Sequence, residues 1–133
     1  MVTAAWQRSV AWLVVCVSMA FMHGCRTLPV RLCAGMIQNE SGRDLNDVRV
    51  EHLPTRRVIQ TRQILAGTSF RLGFDERAME AEQAQLRWND PKLGARSAEV
   101  ILPRDGTGGT GPQTLVYRID GAGRVEVLLT PCR

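Results

Sequence analysis

Beyond residue 31 the chain is written in short runs where apolar and polar side chains alternate, each closed by residues that favour turns. Alternation at every second position lays one side of a strand on a core and the other in solvent. Residues 47–53 set Val48, Val50 and His52 on one side, with Arg49 and Glu51 on the other. Residues 69–74 do the same with Phe70, Leu72 and Phe74, and residues 84–89 with Ala84, Leu86 and Trp88. Residues 114–119 turn Leu115, Tyr117 and Ile119 inward, and residues 124–130 turn in Val125, Val127 and Leu129. Residues 32–38, 57–64 and 96–102 read as further strands.

The punctuation between runs supports this reading. Asn39-Glu40-Ser41-Gly42 is turn chemistry, because Asn and Ser bond locally to backbone and Gly accepts positive φ. Pro54 ends a strand because it has no N–H for a ladder. Asp120-Gly121-Ala122-Gly123 reads as a hairpin loop. About eight short strands at roughly 8–12-residue spacing predict an all-β fold, a small antiparallel β-sandwich or barrel. Residues 75–83 are the exception: they are rich in helix formers, Asp75 can cap them, and one or two helical turns are expected there.

The first 25 residues follow another pattern. Arg8 is followed by a stretch from Ser9 to Gly24 without Asp, Glu, Lys or Arg, mostly apolar between Val10 and Met22. The apolar run is too short for a spanning helix, which needs about 20 residues, and it fits an export signal. Met22-His23-Gly24-Cys25 resembles the processing site of bacterial lipoproteins, with Met22 where Leu is usual and His23 where a small residue is usual. The resemblance implies cleavage before Cys25 and acylation of that cysteine. Ser18-Met19-Ala20 also resembles an ordinary small-x-small cleavage site, which would yield a soluble exported protein, and an uncleaved leader would act as a short anchor. The residue after Cys25 is Arg26, not the Asp that resembles an inner-membrane retention signal, so the outer membrane facing the periplasm is expected. The predicted organisation is a signal peptide at 1–24, a lipidated tether at 25–31 and a β-sandwich domain at 32–133.

Residues 37–74 resemble the immunoglobulin-like modules of small bacterial surface proteins. The likeness is a strand, an Asn-x-Ser-Gly turn, a Val-x-Val strand, and a Gly-Thr-Ser turn before an alternating aromatic strand. It implies an immunoglobulin-like sandwich of about seven to eight strands.

With Cys16 in the leader and Cys25 assigned to lipid, Cys33 and Cys132 remain as an even pair, expected to form a disulfide in an oxidising compartment. Closing a loop of about 100 residues is worth roughly 4–5 kcal/mol in the chain-entropy account.

The net charge of +4 rests almost wholly on arginine, since Lys92 is the single lysine, and acids are interspersed with the cations. No block of like charge argues for nucleic acid. Arg49, Arg56, Arg57 and Arg62 form the densest basic group and the candidate binding surface, for anionic headgroups, lipopolysaccharide or an acidic partner; Arg49 and Arg57 would share an outer face if their strands pair.

The loop Gly106-Thr107-Gly108-Gly109-Thr110-Gly111 spells G-x-G-x-x-G, but Pro112 and then a strand follow it, whereas a dinucleotide fingerprint opens a helix. His52 has no nucleophile motif or placed carboxylate around it in sequence and reads as a sheet-edge histidine. Trp88 reads as a core anchor. No metal-ligand spacing, catalytic set or cofactor motif emerges. The expected function is therefore a non-enzymatic envelope lipoprotein, an interaction or accessory module held at a membrane through Cys25 and meeting an envelope protein partner. The alternative is a glycan- or small-ligand-binding module.

Overall fold

A computed structural model describes residues 30–72, 77–78, 81–104 and 111–132. The leader, Cys25, Phe74, Asp75 and the glycine loop at 106–110 lie outside the described residues. The strands are β1 (Arg31–Glu40), β2 (Leu45–Leu53), β3 (Arg57–Ile64), β4 (Ser69–Leu72), β5 (Arg77–Ala78), β6 (Gln83–Asp90), β7 (Gly94–Ile101), β8 (Gln113–Asp120) and β9 (Val125–Pro131). They form two sheets. Sheet A runs β4-β1-β8-β9, with β5 also paired to β1, and sheet B runs β3-β2-β6-β7.

Every pairing is antiparallel except β1 with β8, which run parallel from Leu32 opposite Gln113 to Glu40 opposite Asp120. The molecule is an all-β sandwich. Its strand order differs from that of immunoglobulin constant domains, which keep their first two strands in one sheet, whereas here β1 and β2 lie in different sheets.

The predicted inward faces meet as one core. Val48, Val50 and His52 of β2 and Ala84, Leu86 and Trp88 of β6 are buried from sheet B. Ile37 of β1, Leu115, Tyr117 and Ile119 of β8, and Leu129 of β9 are buried from sheet A. Phe70, Val125 and Val127 pack against this cluster. Each fully buried aliphatic side chain contributes on the order of 1.5–3 kcal/mol.

The helical expectation for residues 75–83 gives way where that segment is described. Arg77–Ala78 is a strand, with Ala78 opposite Arg31 and Arg77 opposite Leu32, and Gln83 already opens β6. Pairing with the exposed edge of β1 supplies backbone partners that an isolated helical turn cannot, so tertiary pairing overrides local propensity.

At one end of the sandwich a polar cluster ties the turns together. Asn39 is buried; its amide donates to the carbonyls of Arg43 at 2.7 Å and Ile64 at 2.9 Å. Its Oδ1 accepts from the Ser41 amide at 3.1 Å and hydroxyl at 2.6 Å. Arg43 reaches from this turn to the end of β6 and grips Asp90 with two bonds, Nε to Oδ1 at 2.9 Å and Nη2 to Oδ2 at 2.8 Å. Nη2 also donates to the Gly121 carbonyl in the β8–β9 turn. Asp90 Oδ1 further accepts the amides of Lys92 and Leu93. The Arg43 guanidinium, helped by those two amides, holds the Asp90 carboxyl well below the usual carboxylate range, against the opposing effect of burial.

At the other end, β1 carries a bulge: Leu32 faces Gln113 and Ala34 faces Thr114, so Cys33 has no cross-strand partner in β8. The bulge sets Cys33 against Cys132 across the start of β8. Their sulfurs meet at disulfide distance with Cα atoms 6.5 Å apart, and Thr114 Oγ1 lies 3.5 Å from Cys33 Sγ. The sequence separation of 99 makes the bridge a clasp on almost the whole domain. Replacing both cysteines with Ala is expected to lower unfolding stability by about 3–5 kcal/mol in urea titrations. Envelope-derived protein should show no alkylatable thiol at either position before reduction; free thiols at both would contradict the bridge.

Candidate functional site

His52 is a corrected expectation. It is not a sheet-edge residue, because β2 lies between β3 and β6, and its side chain is buried in the core. His52 Nε2 and Tyr117 Oη are hydrogen-bonded at 2.7 Å, joining the two sheets through the middle of the sandwich. Burial, with the Arg57 charge second, lowers the His52 pKa below its ordinary 6.5, so the ring is neutral. Burial pushes the Tyr117 hydroxyl far above the ordinary tyrosine range. A neutral imidazole bonded to a neutral phenol, both closed off from solvent, is a core polar pair. It is not placed to meet a substrate.

The outer face of sheet B carries the exposed chemistry. Cross-strand register builds one row from Gln60 of β3, Arg49 of β2, Arg87 of β6 and Ser97 of β7. Beside this row β2 has its own bulge: three steps along β2, from Asn46 to Arg49, are matched by only two on β6, from Asn89 to Arg87. Asp47 takes the extra position in the left-handed region, φ 48°. Asp is among the non-glycine residues that tolerate it. Its carboxylate accepts from the Asn89 amide at 3.1 Å.

The bulge leaves two adjoining depressions that share Asp47 and Arg49. One, of about 420 Å³, extends over β6 and β7 and includes Arg87, Asn89, Arg96 and Ser97. The other, of about 390 Å³, extends over β3 to Gln60, Thr61 and Arg62.

The structure brings together only part of the predicted basic group. Arg49 and Arg62 line the same depression. Arg56 sits in the β2–β3 turn at φ 55° and is exposed. Arg57 does not share Arg49's face: the strands do pair, but Arg57 is opposite His52 while Arg49 is opposite Gln60. An odd offset along a strand puts two side chains on opposite sides of the sheet. Arg87 was missed. The phase of Ala84, Leu86 and Trp88 already turns it outward, but nothing local signals that β6 lies beside β2.

Trp88 is buried as a core anchor, and its indole N–H has no partner among the described residues. Of the glycine loop only Gly111 is described, and it is exposed. Among the described residues no three His, Cys, Asp or Glu side chains gather where they could hold a metal ion.

No protein-family model matches the chain, and no curated protein matches it. Among solved structures the chain is similar to the NMR structure of a protein from Eubacterium rectale, at 7% identity and a TM-score of 0.46, over 79% of this chain and 91% of that one.

The buried pair makes a pH prediction. A histidine whose folded pKa is depressed binds its proton more readily when unfolded, so its contribution is complete above about pH 6.5 and declines as the pH falls below that value. Thermal melts from pH 8 to 5 should therefore fall more steeply for the native chain than for His52→Gln. Tyr117→Phe, which removes the hydroxyl from His52, should cost about 1–3 kcal/mol at pH 8. Equal pH slopes in the two proteins would refute the neutral-histidine assignment.

Proposed function

We propose that this protein is a non-enzymatic cell-envelope lipoprotein. Acylated Cys25 holds the sandwich at a membrane, and the sandwich serves as an interaction module for an envelope partner. One observation carries the module reading. The one imidazole among the described residues is spent on a core hydrogen bond, while the solvent-facing polar chemistry is an open, arginine-lined sheet face. Guanidinium groups on a shallow surface suit recognition of charge better than proton transfer, which needs a group that titrates near working pH.

The leader supports the anchor. A short apolar segment ending in Gly24-Cys25 fits lipoprotein processing, and Arg26 favours the outer membrane, facing the periplasm, in a cell with two membranes. Several acyl chains on one cysteine suffice for stable attachment where a single chain does not. The glycan-binding alternative has less support, because Trp88 and Tyr117, the rings a sugar platform would use, are both buried.

Cys25→Ala is expected to abolish palmitate labelling and move the protein from the membrane to the soluble fraction. Unchanged labelling and fractionation would refute the anchor. In-cell cross-linking of the anchored protein should capture a discrete envelope protein, and capture should fall when Arg49 is replaced by Gln.

A further inference from the structure

We infer that the paired guanidinium groups of Arg49 and Arg87 form an anion site that takes a phosphate group. The inference rests on the reading of sheet B's outer face as the binding surface and names the chemistry that surface recognises.

Three observations point the same way. First, Arg49 and Arg87 are direct cross-strand partners. Opposed residues stand with Cβ atoms about 4.5–5.5 Å apart, and like charges in that position destabilise a sheet. The charge is only partly answered among the described residues. Arg49 Nη2 is 3.6 Å from Glu51 Oε2, at the long end of an ion pair, and Arg87 Nη2 donates to the neutral amide of Gln85 at 3.4 Å.

Second, the pair lines a concavity. The β2 bulge and the left-handed Asp47 make the depression beside Arg49, and bulges recur where a strand re-aims side chains at a site. Third, the rest of the lining is rich in donors. Arg62 adds positive charge, with Gln60 and Ser97 at the ends of the arginine row, whereas the Arg96 guanidinium turns away to lie against Gly123. The one carboxylate lining the depressions, Asp47, is bonded to Asn89.

A tetrahedral, doubly charged oxyanion fits this arrangement. Each guanidinium can span two of its three terminal oxygens with two parallel N–H···O bonds, the geometry in which arginine binds phosphate most strongly, so two forks share three oxygens. A single carboxylate has only two oxygens and would satisfy one fork. The phosphate can belong to a soluble phosphomonoester or to a lipid whose headgroup is itself a phosphomonoester, which present the same group.

The test uses the full chain, solubilised from membranes in detergent, with arginine side-chain N–H resonances followed by NMR. Inorganic phosphate should move the Nε–H signals of Arg49 and Arg87 together and saturably, leaving Arg71 and Arg118 on the other sheet still. Arg49→Gln and Arg87→Gln should each weaken the affinity by about tenfold or more. Arg71→Gln should leave it unchanged. Arg87→Gln should remain folded, with a Tm equal to or about 2 °C above the native value, because a repulsive pair is gone.

A second arm distinguishes the sources. Flotation with phosphatidylcholine vesicles carrying phosphatidic acid, compared with phosphatidylcholine alone, should require Arg49 and Arg87 if the group is a lipid headgroup. Saturable phosphate binding without vesicle binding assigns a soluble phosphate compound. Shifts that never saturate, or that spread equally over all arginines, overturn the site. The same titration on Cys25→Ala protein should be unchanged, so failure of the anchor and failure of the anion site are read separately.

Discussion

The contact on which the outer face of sheet B depends is the forked ion pair between Arg43 and Asp90. It is not on that face. Arg43 stands on the connection that leads from sheet A into β2, and Asp90 is the last residue of β6. Holding one against the other fixes where β2 begins relative to where β6 ends. That registration carries Arg49 opposite Arg87 and places the β2 bulge against Asn89. Asn39 extends the hold to the β3–β4 connection through the Ile64 carbonyl and the backbone bonds with Gly67 and Thr68. Arg43 extends it to the β8–β9 turn through Gly121. A buried carboxylate left without its arginine is costly, because the charge has then lost both water and partner. A cluster with so many members satisfied therefore admits few alternative registers.

The middle and the far end of the molecule are held by different physics. His52 and Tyr117 sit in an otherwise apolar core, and their mutual bond is what makes two polar side chains tolerable there. The Cys33–Cys132 clasp closes the end where β1 and β9 meet the start of β8, and it limits the unfolded chain more than it stiffens the folded one. The first is closed off from solvent and the second is half-buried. Polar groups inside fix the strands, and the recognition role we propose falls to the arginines outside.

How much of this was legible in the sequence follows from the range of each signal. Period-two alternation is local, so the inward faces of β2, β6, β8 and β9 could be read directly, and so could the hairpin at Asp120–Gly123. Asn39 and Ser41 announced a turn, but their grip on Ile64 and Arg43 could not be seen, because a turn signal says nothing of what approaches it. The cysteine pair was legible because oxidising compartments leave few uses for two remaining thiols.

What the sequence leaves open concerns neighbours. Whether Arg57 shares Arg49's face turns on a single residue of offset across the hairpin. Arg87 gains its place because β6 pairs with β2 across a gap of about thirty residues, which no local pattern records. The place of His52 depends on the strands that flank β2, and nothing local names them. Arg77–Ala78 reads as helix on local composition, because its partner, the start of β1, lies far away in sequence and leaves no local mark.

The central claim is that the Arg43–Asp90 pin acts on all the turns it touches and thereby sets the β2–β6 register. Hydrogen exchange of individual amides in Asp90→Asn tests it most directly. The account predicts that the amides of Asn39, Gly67, Leu93 and Gly123 lose protection together, with the arginine-row strands loosening next to them, while amides flanking His52 and Tyr117 keep theirs. Loss confined to Lys92 and Leu93, the two amides that Asp90 itself binds, would contradict it.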